Sequence, residues 1–158
     1  MAKYFTLEGL ARFREKLESK EGKLSQLESG MAAACEDGNT WHDNAAYDYL
    51  TNQIRMADRR LSDEHSLLNG VQIIEYKDQC EEIFLGSRVT ILFDNEREEY
   101  EIVAFGEEDF DEGRILYESP LASTLLNHRV SDTFEVSIGG KVRLIKILDI
   151  KTPRKYDK

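Results

Sequence analysis

The chain has 158 residues, of which 41% are hydrophobic and 33% are charged, and its formal net charge is −10 at pH 7. This length allows one domain or two small ones, and the composition is typical of a protein with a packed core. The negative charge, which both halves of the chain share, argues against independent binding of duplex DNA. Proteins that bind duplex DNA on their own neutralise its phosphates with a basic face.

Targeting signals and metal-binding cysteine patterns are not evident. The first residues lack the basic and apolar regions of a signal peptide, and no apolar run reaches the roughly 18 residues of a membrane span. Cys35 and Cys80 lie far apart and match no metal-ligand spacing. We therefore expect a cytoplasmic protein with reduced thiols and no membrane association.

The first half has a seven-residue repeat of apolar side chains. The repeat follows Leu10, Leu17, Leu24 and Met31 with Phe13, Leu27 and Ala34, and later Tyr47, Ile54, Leu61 and Leu68 with Leu50, Ala57 and Val71. Lys20 and Glu64 are the exceptions, and Thr6 has the side chain of a helix N-cap. Two such segments predict an antiparallel coiled-coil hairpin over residues 1–76, with its tip near 36–44. Arms of roughly 30 residues would be about 45 Å long.

The second half has the pattern of β-strands. Residues 87–93, 98–104, 114–118, 133–138 and 141–150 are rich in β-branched and aromatic side chains. Gly139 and Gly140 predict a tight hairpin between the last two strands. Residues 119–127 predict a short helix or turn that begins with a proline. The predicted fold class is α+β, with a globular β domain over residues 83–152.

The stretch "EDGNTWHDNAAYDYL", residues 36–50, places carboxylates and the single tryptophan between the two helical segments. One interpretation is structural, because Thr40 and Asp43 have the spacing of a capping box. A second is metal binding, since Mg²⁺ prefers carboxylate oxygens and shares its remaining sites with water and phosphates. His42 has no partner at ligand spacing, which argues against a transition metal. A third is contact, with Trp41 either anchoring in a partner or covering the end of the helical seam.

The tip, the repeat and the strands together resemble the Gre family of bacterial transcription elongation factors. The family pattern is roughly Gly-Asp-x-x-Glu-Asn-Ala-Glu-Tyr, and this chain has "GNTWHDNAAY" at residues 38–47. Asn44, Ala45 and Tyr47 match this pattern, and Asp43 stands where the family has its glutamate. The segments "LGSRVTI", "EYEIV", "ILYESPLASTLL" and "GGKVRLIKILDI" resemble the family's C-terminal domain in order and spacing.

This resemblance implies a fold, a partner and a mode of action. The C-terminal domain is expected to be an FKBP-like antiparallel β domain that docks at the secondary channel of RNA polymerase. The coiled coil then enters the channel, where tip carboxylates help hold a Mg²⁺ ion shared with the polymerase. In a backtracked complex, water cleaves the nascent RNA by two-metal hydrolysis. The protein is thus expected to be an accessory factor, with Asp43 as the metal ligand and Trp41, Asn44 and Tyr47 as tip contacts.

The chain departs from the family at the first tip acid, which is the aspartate that follows the glycine in the family pattern. Depending on the alignment, Thr40 or Asn39 stands at that position, and both are uncharged. Asn39 offers a carbonyl oxygen, and Asp37 offers a carboxylate from the other side of the tip. The catalytic candidates are therefore Asp43, Asn39 and Asp37. The alternative is a regulator that occupies the secondary channel without supporting cleavage.

Two further sets of residues are candidates for contact with the polymerase or its RNA. Arg55, Arg59 and Arg60 form a small basic cluster on the second arm, either a contact to nascent RNA or a solvated helix face. Ser119, Pro120 and Leu121 are predicted to dock on the polymerase, whereas Leu125 is better assigned to the domain core. Two other functions, a prolyl isomerase and a coiled-coil adaptor without polymerase contact, stay open at this stage.

Overall fold

The computed structural model describes residues 2–36, 45–77 and 81–153. The chain divides into two compact units. The first unit comprises Met1–Lys3 and Ala11–Gln72, and the second comprises Tyr4–Leu10 and Ile73–Lys158. The first turn of the long N-terminal helix therefore belongs to the C-terminal unit, which the sequence pattern did not indicate.

Two long helices form an antiparallel hairpin in the first unit. Helix α1 spans Leu7–Glu36 and helix α2 spans Ala45–Ser66. Three contacts between them establish the direction: Lys20 to Glu64, Glu21 to His65, and Met31 to Thr51. Between residues 20–21 and residue 31 of α1, the contacting residue of α2 moves back from 64–65 to 51, so the helices are antiparallel. The predicted helical hairpin is confirmed, and thirty helical residues make α1 about 45 Å long.

Burial along α2 follows the predicted seven-residue repeat. The partly buried positions of this helix alternate in steps of three and four and are Tyr47, Leu50, Ile54, Ala57, Leu61 and Glu64. The two charged exceptions in the repeat, Lys20 and Glu64, lie opposite each other, with the Nζ atom 2.6 Å from Oε2. Such a surface ion pair contributes only about 0–1 kcal/mol, but it disfavours other registers of the two helices.

The end of α2 corrects one part of the sequence prediction. The repeat predicted helical packing through Leu68 and Val71, but α2 ends at Ser66 and Val71 begins strand β2. The backbone turns at Gly70, whose φ is +85°, a conformation that glycine adopts without a steric penalty. Strand β2 (Val71–Ile73) pairs with strand β1 (Lys3–Phe5) in a two-stranded sheet.

A five-stranded sheet forms the body of the second unit. Its strands are β3 (Arg88–Phe93), β4 (Glu96–Val103), β5 (Arg114–Leu116), β6 (Thr133–Ile138) and β7 (Lys141–Lys151). The order in the sheet is β5-β4-β3-β7-β6, so the first and last parts of the domain meet where β3 pairs with β7. The β3–β4, β3–β7 and β6–β7 pairs are antiparallel, as predicted. The β4–β5 pair is parallel, so this one pair departs from the antiparallel arrangement that the sequence predicted for the domain.

The core of the second unit lies between one face of this sheet and helix α3 (Pro120–Leu125). The fully buried side chains come from the strands, from α3 and from the segment before β3, and include Ile83, Val89, Ile91, Ile102, Leu125, Ile145 and Ile147. The opposite face of β7 leaves Val142 and Leu144 exposed by 68% and 55%. Among the described residues, neither long helix is apolar enough over a sufficient length to cross a bilayer.

Candidate functional site

The tip candidates connect α1 to α2. Residues Asp37, Asn39, Trp41, Asp43 and Asn44 all fall between Glu36 and Ala45, outside the described residues, together with Thr40 and His42. Tyr47, in the first turn of α2, is partly buried at a repeat position. The metal-ligand assignment therefore stays a prediction. The described part of the chain holds no group of three or more metal-ligating side chains.

The three arginines of the second arm lie on the outer side of α2. Arg55, Arg59 and Arg60 are all exposed and fall between the partly buried repeat positions. The Nη2 atom of Arg55 donates to Oδ1 of Asn52 over 2.8 Å. The arginines are therefore accessible to a ligand and take no part in packing the helices together.

The predicted docking residues begin helix α3. Ser119 is its N-cap, and the Ser119 hydroxyl accepts a hydrogen bond of 3.2 Å from the Ala122 N–H. Pro120 is the first helical residue, where its lack of an N–H costs nothing, and its side chain is exposed. Leu125 is fully buried, as the sequence predicted, whereas Leu121 is partly buried and packs against the core. The surface that α3 offers therefore consists of Pro120, Ser123 and the accessible parts of Leu121 and Thr124.

A buried carboxylate in the second unit was not singled out from the sequence. Glu107 is only 3% exposed, and its two carboxylate oxygens accept hydrogen bonds from the hydroxyls of Thr6 and Tyr76. We call these three residues the Glu107 cluster. Thr6 was predicted only as an N-cap, which it is, because its hydroxyl also accepts from the Gly9 N–H over 2.9 Å. The three residues are too far apart in sequence for any local pattern to connect them.

Two tyrosines of the second unit have raised pKa values. Burial raises the pKa of Tyr117 to about 12, with further contributions from its hydrogen bond to Glu118. Burial likewise raises the pKa of Tyr100 to about 12, and the hydrogen bond to Glu98 acts in the same direction. Both phenols are therefore neutral at physiological pH and act as hydrogen-bond donors.

Comparison with known proteins shows which family this chain resembles along its length. The family model described as "Transcription elongation factor, GreA/GreB, C-term" matches residues 78–152. The transcription elongation factor GreA of Halalkalibacterium halodurans is 31% identical over 152 residues, covering 94% of this chain and 96% of that protein. GreA of Geobacillus kaustophilus is 33% identical over 150 residues, covering 92% and 94%.

A solved structure is also similar along nearly the whole chain. GreA factor homolog 1 of Thermus thermophilus aligns with 95% of this chain and 99% of its own, at 22% identity and a TM-score of 0.45. Family membership follows from the sequence relatives, whose identity exceeds 30% over almost their entire length. The chain belongs to the GreA/GreB family of transcription elongation factors.

Proposed function

We propose that this protein binds RNA polymerase at its secondary channel and promotes Mg²⁺-dependent cleavage of nascent RNA in backtracked complexes. The observation that carries the proposal is the full-length similarity to GreA proteins, which includes both the helical hairpin and the β domain. A helix of about 45 Å suits an arm that must reach from a docking site to a distant catalytic centre. The net charge of −10 is compatible with this role, because the polymerase supplies the basic surface that holds the nucleic acid.

Asp43 is the principal metal ligand in this proposal, and Asn39 or Asp37 is the second. A Mg²⁺ ion shared with the polymerase would supply charge stabilisation for attack of water on the phosphodiester. The protein's own part is to bring one or two oxygen ligands to a site that already contains a metal and a phosphate. The protein is then an accessory factor whose catalytic centre belongs to its partner.

The first experiment measures transcript cleavage. A stalled, backtracked elongation complex incubated with the protein and Mg²⁺ should release short 3′ RNA fragments. Asp43→Ala should slow their release at least tenfold, equivalent to the loss of about 1.4 kcal/mol of transition-state stabilisation. Asp48→Ala is the matched control, because Asp48 is an exposed carboxylate in the first turn of α2. Equal cleavage by the Asp43 variant and the wild type would exclude Asp43 as the ligand.

A second candidate function is regulation of the polymerase without cleavage. It is favoured by one observation, the uncharged Asn39 or Thr40 at the position of the first tip acid. Such a protein would compete with cleavage factors for the channel and change initiation or pausing. Introducing the acid, as Asn39→Asp or Thr40→Asp, distinguishes the two functions. Strong cleavage by the wild type would exclude the regulator, and its absence in wild type and both variants would favour it.

Docking is proposed to use the exposed surface at the start of α3. Burying one apolar side chain at an interface stabilises it by roughly 1.5–3 kcal/mol, so Leu121→Glu should weaken polymerase binding at least tenfold. Because Leu121 also packs against the core, a second variant, Ser123→Arg, adds bulk and charge at an exposed position. Leu144→Glu, on the exposed face of β7, is the control.

Thermal melts identify any variant that fails to fold. Affinity for polymerase is then measured by competition against labelled wild-type protein. If both α3 variants are folded and bind polymerase as strongly as the wild type, docking must use another surface.

A further inference from the structure

The helical part of the N-terminal unit, Ala11–Gln72, is joined to the C-terminal unit at both of its ends, and the Glu107 cluster holds a residue near each end. The chain leaves the C-terminal unit after Leu10 and returns at Ile73. Thr6 lies just before the first connection and Tyr76 just after the second, and both belong to the C-terminal unit. Their hydroxyls donate to the same carboxylate, that of Glu107. A single buried side chain thus secures both segments on the domain from which they extend.

The hydrogen-bond directions in this cluster require a carboxylate. The Thr6 hydroxyl accepts from the Gly9 N–H, and the Tyr76 hydroxyl accepts from the Ala104 N–H over 3.0 Å. Each hydroxyl therefore has its proton available for Glu107, whose two oxygens are both acceptors. A glutamine at this position would replace one acceptor oxygen with an N–H₂ group. That group and the hydroxyl next to it would then both be hydrogen-bond donors, with no acceptor between them. In a site that is 3% exposed, the resulting mismatch has no water to relieve it.

Close packing around the cluster holds the first turn of α1 in place. A Cβ atom added at Gly9 would lie 2.6 Å from the Phe105 carbonyl oxygen, so only glycine allows this approach. The ring of Phe5 stacks on that of Phe105 at 5.4 Å, and Phe105 meets Tyr117 edge-on at 5.6 Å. The Phe105 N–H also donates to the Tyr4 carbonyl oxygen over 3.2 Å. The beginning of α1 is therefore part of the core of the second unit.

We propose that Glu107 is a positioning residue for the tip, acting by holding Thr6 and Tyr76 where the hairpin joins the C-terminal unit. The inference rests on the proposed docking and channel entry. Helix α1 continues without a break from Leu7 to Glu36, so constraint on its first turn is transmitted along the helix. When the C-terminal unit binds polymerase, this binding can determine where the tip lies only if Thr6 and Tyr76 are held firmly. Loss of the cluster should leave docking intact and reduce the encounter of the tip with the polymerase.

The test separates docking from tip placement. A photo-cross-linking amino acid replaces Trp41, and the yield of cross-links to polymerase is measured per bound molecule at saturation. Glu107→Gln and Tyr76→Phe are introduced separately, and Glu135→Gln, an exposed position on β6, is the control. Polymerase affinity and thermal stability are measured for each protein. This readout does not require the protein to support cleavage.

We expect both cluster variants to bind polymerase nearly as tightly as the wild type but to cross-link from position 41 roughly fivefold less, because a mismatched buried hydrogen bond loosens the attachment. The control should match the wild type. Folded variants with undiminished cross-linking would overturn the inference. Affinity and cross-linking that fall together with stability would also overturn it, since Glu107 would then have only a folding role. A wild-type protein that fails to bind polymerase would instead reject the proposed function itself.

Discussion

Replacing Gly9 with alanine tests how tightly the start of α1 is held. Alanine is a better helix former than glycine by roughly 1 kcal/mol, so an unconstrained helix would be stabilised by the substitution. At Gly9, however, the new Cβ atom would lie 2.6 Å from the Phe105 carbonyl oxygen and 3.0 Å from Cγ of Glu107. It would also lie 3.1 Å from the Thr6 hydroxyl oxygen, which is both the N-cap and a member of the Glu107 cluster.

The balance of these terms predicts net destabilisation. The carbonyl oxygen is backbone and cannot rotate away, so either α1 or residues 104–107 must shift. Inserting a methyl group into a well-packed site costs typically 1–3 kcal/mol. The shift also weakens the hydrogen bonds of Thr6, and each such bond contributes about 1 kcal/mol. After the gain in helix propensity, we expect Gly9→Ala to lower the free energy of unfolding by about 1–3 kcal/mol.

Gly22→Ala provides a matched comparison in the same helix. Apart from the backbone of its own helix turn, no atom of the described residues lies within 4 Å of a Cβ built at Gly22, so only the propensity term applies. Gly22→Ala should therefore stabilise the protein by roughly 0.5–1 kcal/mol. Urea denaturation followed by circular dichroism measures both changes, and hydrogen exchange of the Leu10 amide, which donates to the Thr6 carbonyl, reports on the first turn. If Gly9→Ala stabilises the protein as much as Gly22→Ala does, the packing argument is wrong.

Three further measurements test other parts of the structure. Ile145→Ala removes a fully buried side chain from β7 and should lower the free energy of unfolding, measured by urea denaturation, by about 2–5 kcal/mol. Val142 is 68% exposed on the same strand, so Val142→Ala should change that free energy by less than about 0.5 kcal/mol. Ser119→Ala removes the N-cap of α3 and should cost about 0.5–2 kcal/mol, with faster hydrogen exchange at the Ala122 amide; unchanged exchange would contradict the cap. Because the folded pKa of Tyr117, about 12, lies above the ordinary value of 10.0, its stabilising effect should be complete below pH 10 and be lost as the pH rises towards 12. The denaturation midpoint of Tyr117→Phe should fall less steeply over that range than that of the wild type, and equal slopes would argue against the raised pKa.

Local periodicity was sufficient to predict much of the architecture. The seven-residue repeat predicted two helices in an antiparallel hairpin, because the apolar seam of each helix must be covered by the other. Alternating β-branched residues and the Gly139-Gly140 pair predicted the strands and the last hairpin, whose register pairs Ile138 with Lys141. Leu125 was predicted to complete the core of the β domain, and it is fully buried there. The residues that resemble the family pattern lie in these same segments and in the tip.

Two charged residues interrupt the seven-residue repeat, and their role depends on the partner helix. Lys20 and Glu64 each interrupt the repeat, and either one alone is a defect in an apolar seam. In the folded hairpin they are opposite each other and form an ion pair. Which residues face each other depends on the register of the two helices, and the pattern of one helix contains no information about that register.

Features that depend on distant segments could be decided only by the tertiary structure. The repeat continued to Val71, but strand pairing between residues 71–73 and 3–5 ended α2 earlier, because a partner strand satisfied backbone groups that a helix would otherwise have used. The parallel pairing of residues 114–116 with residues 101–103 is likewise a feature that the composition of neither strand indicates. Glu107 stands in an acidic segment that resembles a solvated loop, and it becomes a buried acceptor only when Thr6 and Tyr76 are folded against it. Sequence patterns determine the structure within one element, whereas the burial and hydrogen bonding of such a residue depend on contacts made across the whole fold.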